Sequence, residues 1–175
     1  MKVEKIQSYY FINTVKEHKL YKDKILKSIN EIPKNSFEFI SHTDWTLPQN
    51  YNREYIKLFY AMINPYLENI KEFINVSNYE IHNTWFQQYE KNDRHDFHTH
   101  GGCQYTNVYY LEMPEENMKT KLFEPLEKKI IDIDIKEGDL ITFASYINHK
   151  SDTNKSDKRK TVISFNSSFG DIPNA

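Results

Sequence analysis

Residues 129–143 read Lys129-Ile130-Ile131-Asp132-Ile133-Asp134-Ile135-Lys136-Glu137-Gly138-Asp139-Leu140-Ile141-Thr142-Phe143, and their pattern decides the fold class. Ile131, Ile133 and Ile135 alternate with Asp132, Asp134 and Lys136, the period of an extended strand with one apolar and one wet face. Glu137-Gly138-Asp139 then supplies a turn into the next strand, 140–143. The same period of two governs everything from Tyr79 onward, with strands predicted at 80–90, 104–113, 121–124, 129–135, 140–143 and 160–168.

Upstream of Tyr79 the period changes. Residues 6–12 read as a strand, after which Leu20, Ile25, Leu26, Ile29 and Ile32 recur at near-helical spacing. A stronger helix is predicted over 51–73, where Tyr55, Leu58, Phe59, Met62, Ile63, Tyr66, Ile70 and Phe73 form one apolar stripe. Helices followed by many short antiparallel strands make an α+β plan in which helices brace one sheet of a sandwich or barrel. A double-stranded β-helix, a jelly roll or cupin-like barrel, fits best. The helical support spans about 14–75 and the β-helix core about 79–168, within a single domain of 175 residues.

Composition narrows the function classes. A chain with 38% hydrophobic and 15% aromatic residues orders into a globule, and no apolar run approaches the ~20 residues of a membrane helix. Met1 to Lys5 mixes acid and base without an apolar leader, and one cysteine, Cys103, forms no internal disulfide. Both features predict a cytoplasmic protein, in a bacterium or a phage-infected host cell. A net charge of −2 gives no general attraction to nucleic acid, and the lysines between 155 and 160 read mostly as a solvated turn.

The chemistry concentrates in the histidines. His98 and His100 are separated by one residue, so on an extended strand both side chains leave the same face. His149 follows a glycine turn and an apolar strand and closes a three-histidine metal site from elsewhere. Asp96, two residues before His98, is the alternative acidic ligand, although a solvated loop over 91–97 is its plainer reading. A cupin would add a glutamate a few residues after the His pair, where this chain has Gly101-Gly102-Cys103-Gln104. A facial set on iron(II) leaves positions for a cosubstrate and O₂, and a chelating keto-diacid needs a cation for its far carboxylate. Arg159 and Lys160 are the cations at hand. Lys160 shares a face with Val162, Ser164 and Asn166; Arg159 shares the other with Thr161, Ile163 and Phe165. The second face is more apolar and suits packing on helices, which makes Lys160 the first choice and Arg159 its rival. Tyr109 and Tyr110 point to opposite faces.

Trp85, His98-Thr99-His100, Val108-Tyr109-Tyr110-Leu111, Leu122-Phe123-Glu124-Pro125, Glu137-Gly138-Asp139, His149, Asn154-Lys155-Ser156 and Ser164-Phe165-Asn166 follow one another in a characteristic order. Over roughly 80–168 the chain resembles the 2OG-Fe(II) oxygenases of marine bacteriophages and bacteria, and it is similar to prolyl hydroxylases. The resemblance implies a double-stranded β-helix that binds Fe(II) through His98, His100 and His149. It implies 2-oxoglutarate held by Tyr110 and by Lys160 or Arg159, with Asn166 lining the metal cavity and ascorbate as a supporting reductant. The family usually places arginine six residues before the terminal Asn, where this chain has Lys160; collagen-type prolyl hydroxylases use lysine there. The expected activity is hydroxylation of an unidentified substrate, whether a protein side chain, a nucleobase or a metabolite. The alternatives are a cupin-like metal-binding protein without oxidative chemistry and a structural jelly roll with vestigial ligands.

Overall fold

In the computed structural model the described residues are 1, 2, 4 and 8–170. Ten strands and two α-helices form, in order, β1 (Tyr10–Thr14), α1 (His18–Asn30), β2 (His42–Thr43), α2 (Glu54–Ile74), β3 (Tyr79–Tyr89), β4 (His95–His98), β5 (Tyr105–Glu112), β6 (Thr120–Glu124), β7 (Lys129–Asp132), β8 (Asp139–Ala144), β9 (Asn148–Ser151) and β10 (Lys160–Phe169). One sheet runs β1-β8-β5-β10-β3-β2 and the other β4-β9-β6-β7, with every pairing antiparallel. The first strand begins later than 6–12 and runs to Thr14; residues 6 and 7 of that expectation lie outside the described residues.

Alternation within the central strands sorts their side chains into two buried clusters. Phe86, Tyr109, Leu111, Leu140, Ile163 and Phe165 gather with Ile25 and Ile29 of α1 and with Tyr55, Phe59, Met62, Ile63, Leu67 and Ile70 of α2. Val108, Tyr110, Ile141, Phe143 and Val162 point the other way and meet Leu122 of the smaller sheet. Burying one such side chain is worth about 1.5–3 kcal/mol, so each face is strongly specified.

α2 follows the expected stripe at its centre and departs at its ends: Phe73 is 75% exposed, and so is most of Leu20 on α1. Asn75 ends α2 in the left-handed region with φ 62°, a conformation asparagine tolerates. The Ile131–Ile133–Ile135 alternation proves to be a pattern of burial more than of pairing. Ladder bonds with β6 stop at Asp132, yet Ile133 and Ile135 are both buried. Beyond them Gly138 turns the chain at φ +87°, where a Cβ would lie 3.0 Å from the His18 ring. Glycine is required there on both counts. Three short strands went unread: β2, β4 and β9.

Candidate metal centre and cosubstrate cavity

β4 and β9 pair so that His98 stands directly opposite His149. His100 lies just past β4, where its backbone N–H donates to the Ser145 carbonyl at 3.0 Å. One ligand nitrogen from each of the three rings falls within 4.8 Å of the other two, the one such grouping among the described residues. Every ring is oriented through Nδ1. His98 Nδ1 meets the Asp96 carbonyl at 2.8 Å, His149 Nδ1 the Ile147 carbonyl at 3.0 Å, and His100 Nδ1 the Asn166 Oδ1 at 2.6 Å. Oxygen acceptors of this kind place the proton on Nδ1 and leave Nε2 free as the ligand, the usual orientation of metal-binding histidines.

Burial holds all three imidazoles below the ordinary histidine pKa, His149 at about 3, reinforced there by the neighbouring His98. They are therefore neutral at pH 7, as ligation requires. His95 stacks on His98 with centroids 3.9 Å apart and is lowered to about 4, first by burial and then by the adjacent His98. The stretch expected to be a solvated loop thus carries a strand whose first histidine lines the cavity. Asp96 does not join it: its side chain is 71% exposed and pairs with Arg94. The donor set is all imidazole, suited to iron, zinc, copper or nickel, and the residues fit a divalent metal.

Behind the histidines lies a narrow cavity lined by Thr106, Thr120, Ser151, Lys160, Val162 and Ser164. Lys160 is only 2% exposed; its Nζ donates to Ser151 Oγ at 2.7 Å and sits 4.9 Å from the Tyr89 ring and 5.7 Å from that of Tyr110. No carboxylate forms an ion pair with it among the described residues, and burial lowers its pKa to about 7. A buried cation without an anion is costly, and a carboxylate entering the cavity would relieve it. Thr106 Oγ1 faces the same space, buried and without a hydrogen-bond partner. An unneutralised ammonium and an orphaned hydroxyl fit one end of a dicarboxylate. At about 30 Å³ the cavity has room for one or two waters.

Arg159, the rival anchor, is not brought here. Its guanidinium grips Glu112 through Nε at 2.9 Å and Nη2 at 3.2 Å on the opposite face of β10, and Thr161 hydrogen-bonds the same carboxylate. Tyr110 stands one residue back: its hydroxyl donates to Thr120 Oγ1 at 2.5 Å and accepts from the Thr120 N–H at 3.0 Å. Gln87 and Tyr89 escaped the sequence reading and Trp85 entered it without a role, although their spacing places all three on one face of β3. Register opposes them to Ser164, Val162 and Lys160, and this pairing is what brings them into the cavity.

In front of the histidines opens a cavity of about 370 Å³, walled by Phe37, Ile40, Trp45 and Trp85, with Asn83 and Asn166 as polar contacts. The two indoles meet edge to face at 4.5 Å. Trp45 is held by a buried clip in which Asp44 accepts from Arg53 Nε, the Tyr55 hydroxyl and the Phe86 N–H, all at 2.8–2.9 Å. Cys103 is half-buried with its thiol pushed up by burial, away from the depressed values of nucleophilic cysteines. No helix among the described residues is long and apolar enough to cross a membrane.

No protein-family model and no curated protein matches the chain in sequence. Solved structures do match. A viral collagen prolyl hydroxylase from Paramecium bursaria Chlorella virus-1, in a 2OG complex, is 18% identical over 91% of this chain and 94% of its own, with a TM-score of 0.64. A prolyl hydroxylase from Trichoplax adhaerens, bound to a hypoxia inducible factor peptide, is 16% identical over 90% and 82%, at 0.63. A 2OG-Fe(II) oxygenase family oxidoreductase from Burkholderia pseudomallei is 10% identical over 90% and 83%, at 0.71. The chain has the fold of the 2OG-Fe(II) oxygenases.

Proposed function

We propose that this chain is a non-haem Fe(II)- and 2-oxoglutarate-dependent dioxygenase of the hydroxylase type, built as one double-stranded β-helix domain with α1 and α2 bracing its larger sheet. The observation that carries the proposal is the sharing of one cavity by three neutral imidazoles and a buried, unneutralised Lys160. Metal binding alone would leave such a lysine without an anion, whereas a dicarboxylate cosubstrate supplies one. The sequence resemblance to phage and bacterial enzymes supports the reading.

His98, His100 and His149 would hold the iron through Nε2, with Asn166 fixing the His100 ring. Lys160 and Thr106 would hold the far carboxylate of 2-oxoglutarate, and Tyr110 would hold Thr120 in place beside them. When bound, iron and 2-oxoglutarate would supply the oxidative chemistry, in which O₂ contributes one oxygen atom to succinate, formed with CO₂ from 2-oxoglutarate, and the other to a substrate C–H. The chain's own part is to orient these groups and exclude water; ascorbate would sustain the reduced metal.

Three neutral ligands leave the iron one charge more positive than a set containing a carboxylate. The anionic cosubstrate should accordingly tighten iron retention; metal affinity indifferent to 2-oxoglutarate contradicts the assignment. Protein prepared without a polyhistidine tag and supplied with Fe(II), 2-oxoglutarate, ascorbate and O₂ should form succinate, and His149→Ala should lose both iron and turnover. Tight iron binding with no succinate across a broad substrate panel would sink the oxygenase reading.

A further inference from the structure

β3 is eleven residues long and pairs with β10 along nearly its whole length, but on its other edge β2 covers only Gln87 and Gln88. Residues 79–85 thus present a sheet edge that no strand of the described residues pairs, and such an edge is a template for strand addition. A groove of about 840 Å³ runs along residues 82–85 of this edge, walled by α2 and the 44–53 loop. This groove shares Trp45, Asn83 and Trp85 with the cavity in front of the histidines, so the two form one continuous depression leading from the metal centre along the edge.

The lining states what fits. Its charges are spent within the protein: Arg53 on Asp44 at 2.8 Å, Lys57 on Glu54 at 3.2 Å. Arg53 is thus matched internally, and exposed Lys57 offers one cation where nucleic acid would demand a run of them to meet its phosphates. The polar lining includes the amides Gln49, Asn50 and Asn83, which match the donors and acceptors of a peptide backbone, whereas Asn52 donates to Glu54 at 2.7 Å.

We propose that the substrate is an extended, uncharged polypeptide segment that adds as a strand to the open edge of β3 and delivers its reacting side chain past the Trp45–Trp85 pair into the cavity in front of the histidines. The proposal rests on the oxygenase reading and deepens it by naming the substrate class.

Trp45 and Trp85 are the only tryptophans of the chain, so its intrinsic fluorescence reports directly on this cavity, independent of turnover. The probes are uncharged peptides of about twelve residues, differing in the central residue, together with their central tripeptides and maltohexaose. At least one long peptide should shift the emission and bind at least about tenfold more tightly than its tripeptide, as several added main-chain hydrogen bonds imply. N-methylation of alternate residues on one edge should remove that gain, while methylation of the other edge leaves it. Trp45→Phe should abolish most of the signal without loss of fold, and the bound peptide should gain one oxygen atom under turnover conditions. Equal affinity for the tripeptide, indifference to N-methylation, binding of maltohexaose alone, or no binding of any long peptide overturns the proposal. Succinate formation in the last case leaves the oxygenase reading standing; failure to bind iron and 2-oxoglutarate removes the reading itself.

Discussion

The two faces of β10 are equally buried and differ in everything else. On one, Ile163 and Phe165 are wholly buried against the helices; on the other, Lys160, Ser164 and Asn166 are between 2% and 6% exposed and face the site. Burial alone therefore does not distinguish a core from a site. What differs is whether the buried group finds its partner inside the protein: the apolar face is complete, whereas Lys160 lacks an anion.

The contrast is open to experiment, beginning with its largest effect. Phe165→Ala should destabilise the fold by about 3–5 kcal/mol in denaturant unfolding, because rigid helices and sheet cannot collapse into the void. Lys160→Met should do the reverse for stability, leaving it unchanged or raising it, since an unpaired buried charge is exchanged for an apolar chain of similar length. The same substitution should weaken 2-oxoglutarate binding by about 2–5 kcal/mol in calorimetry, with iron binding retained. Loss of stability in Lys160→Met would erase the distinction between the faces. Asn166→Ala should cost about 10–100-fold in metal affinity, because the His100 ring loses its orienting acceptor.

The same contrast carries into pH dependence. His149 titrates at about 3 in the folded state against an ordinary 6.5, so below 6.5 the unfolded chain takes up a proton that the folded one refuses. Lys160, at about 7 against 10.5, does the same between those values. Metal-free stability should thus rise with pH through both windows in thermal melts. His149→Phe should flatten the acidic limb and Lys160→Met the alkaline one; slopes unaltered by either change would show that neither group titrates as its burial demands.

Much of this architecture was legible along the chain. The stripe on α2 and the period of two after Tyr79 located the helix and the long strands, and the parity of β10 put Lys160 and Arg159 on opposite faces, where the structure also has them. The places where the reading failed share a cause. β4 and β9 are four residues each and interrupted by a register shift, too short for a period to emerge. The isoleucine run continued its alternation past the last ladder bond, because burial of Ile133 and Ile135 needs an extended chain but no partner strand. Arg159 remained a rival only because sequence shows a guanidinium and not the Glu112 that occupies it.

Sequence by itself determined which side chains leave the same face, since the pleat repeats every two residues whatever the strand packs against. It also supplied the His-x-His pair and the distant third histidine. Tertiary structure decided what stands opposite each face: that His149 registers against His98, that Thr106 and Ser151 meet Lys160, and that Trp45 is clipped beside Trp85. These are contacts between segments far apart along the chain, set by strand register and by the cost of leaving buried polar groups unpaired, neither of which a local pattern encodes.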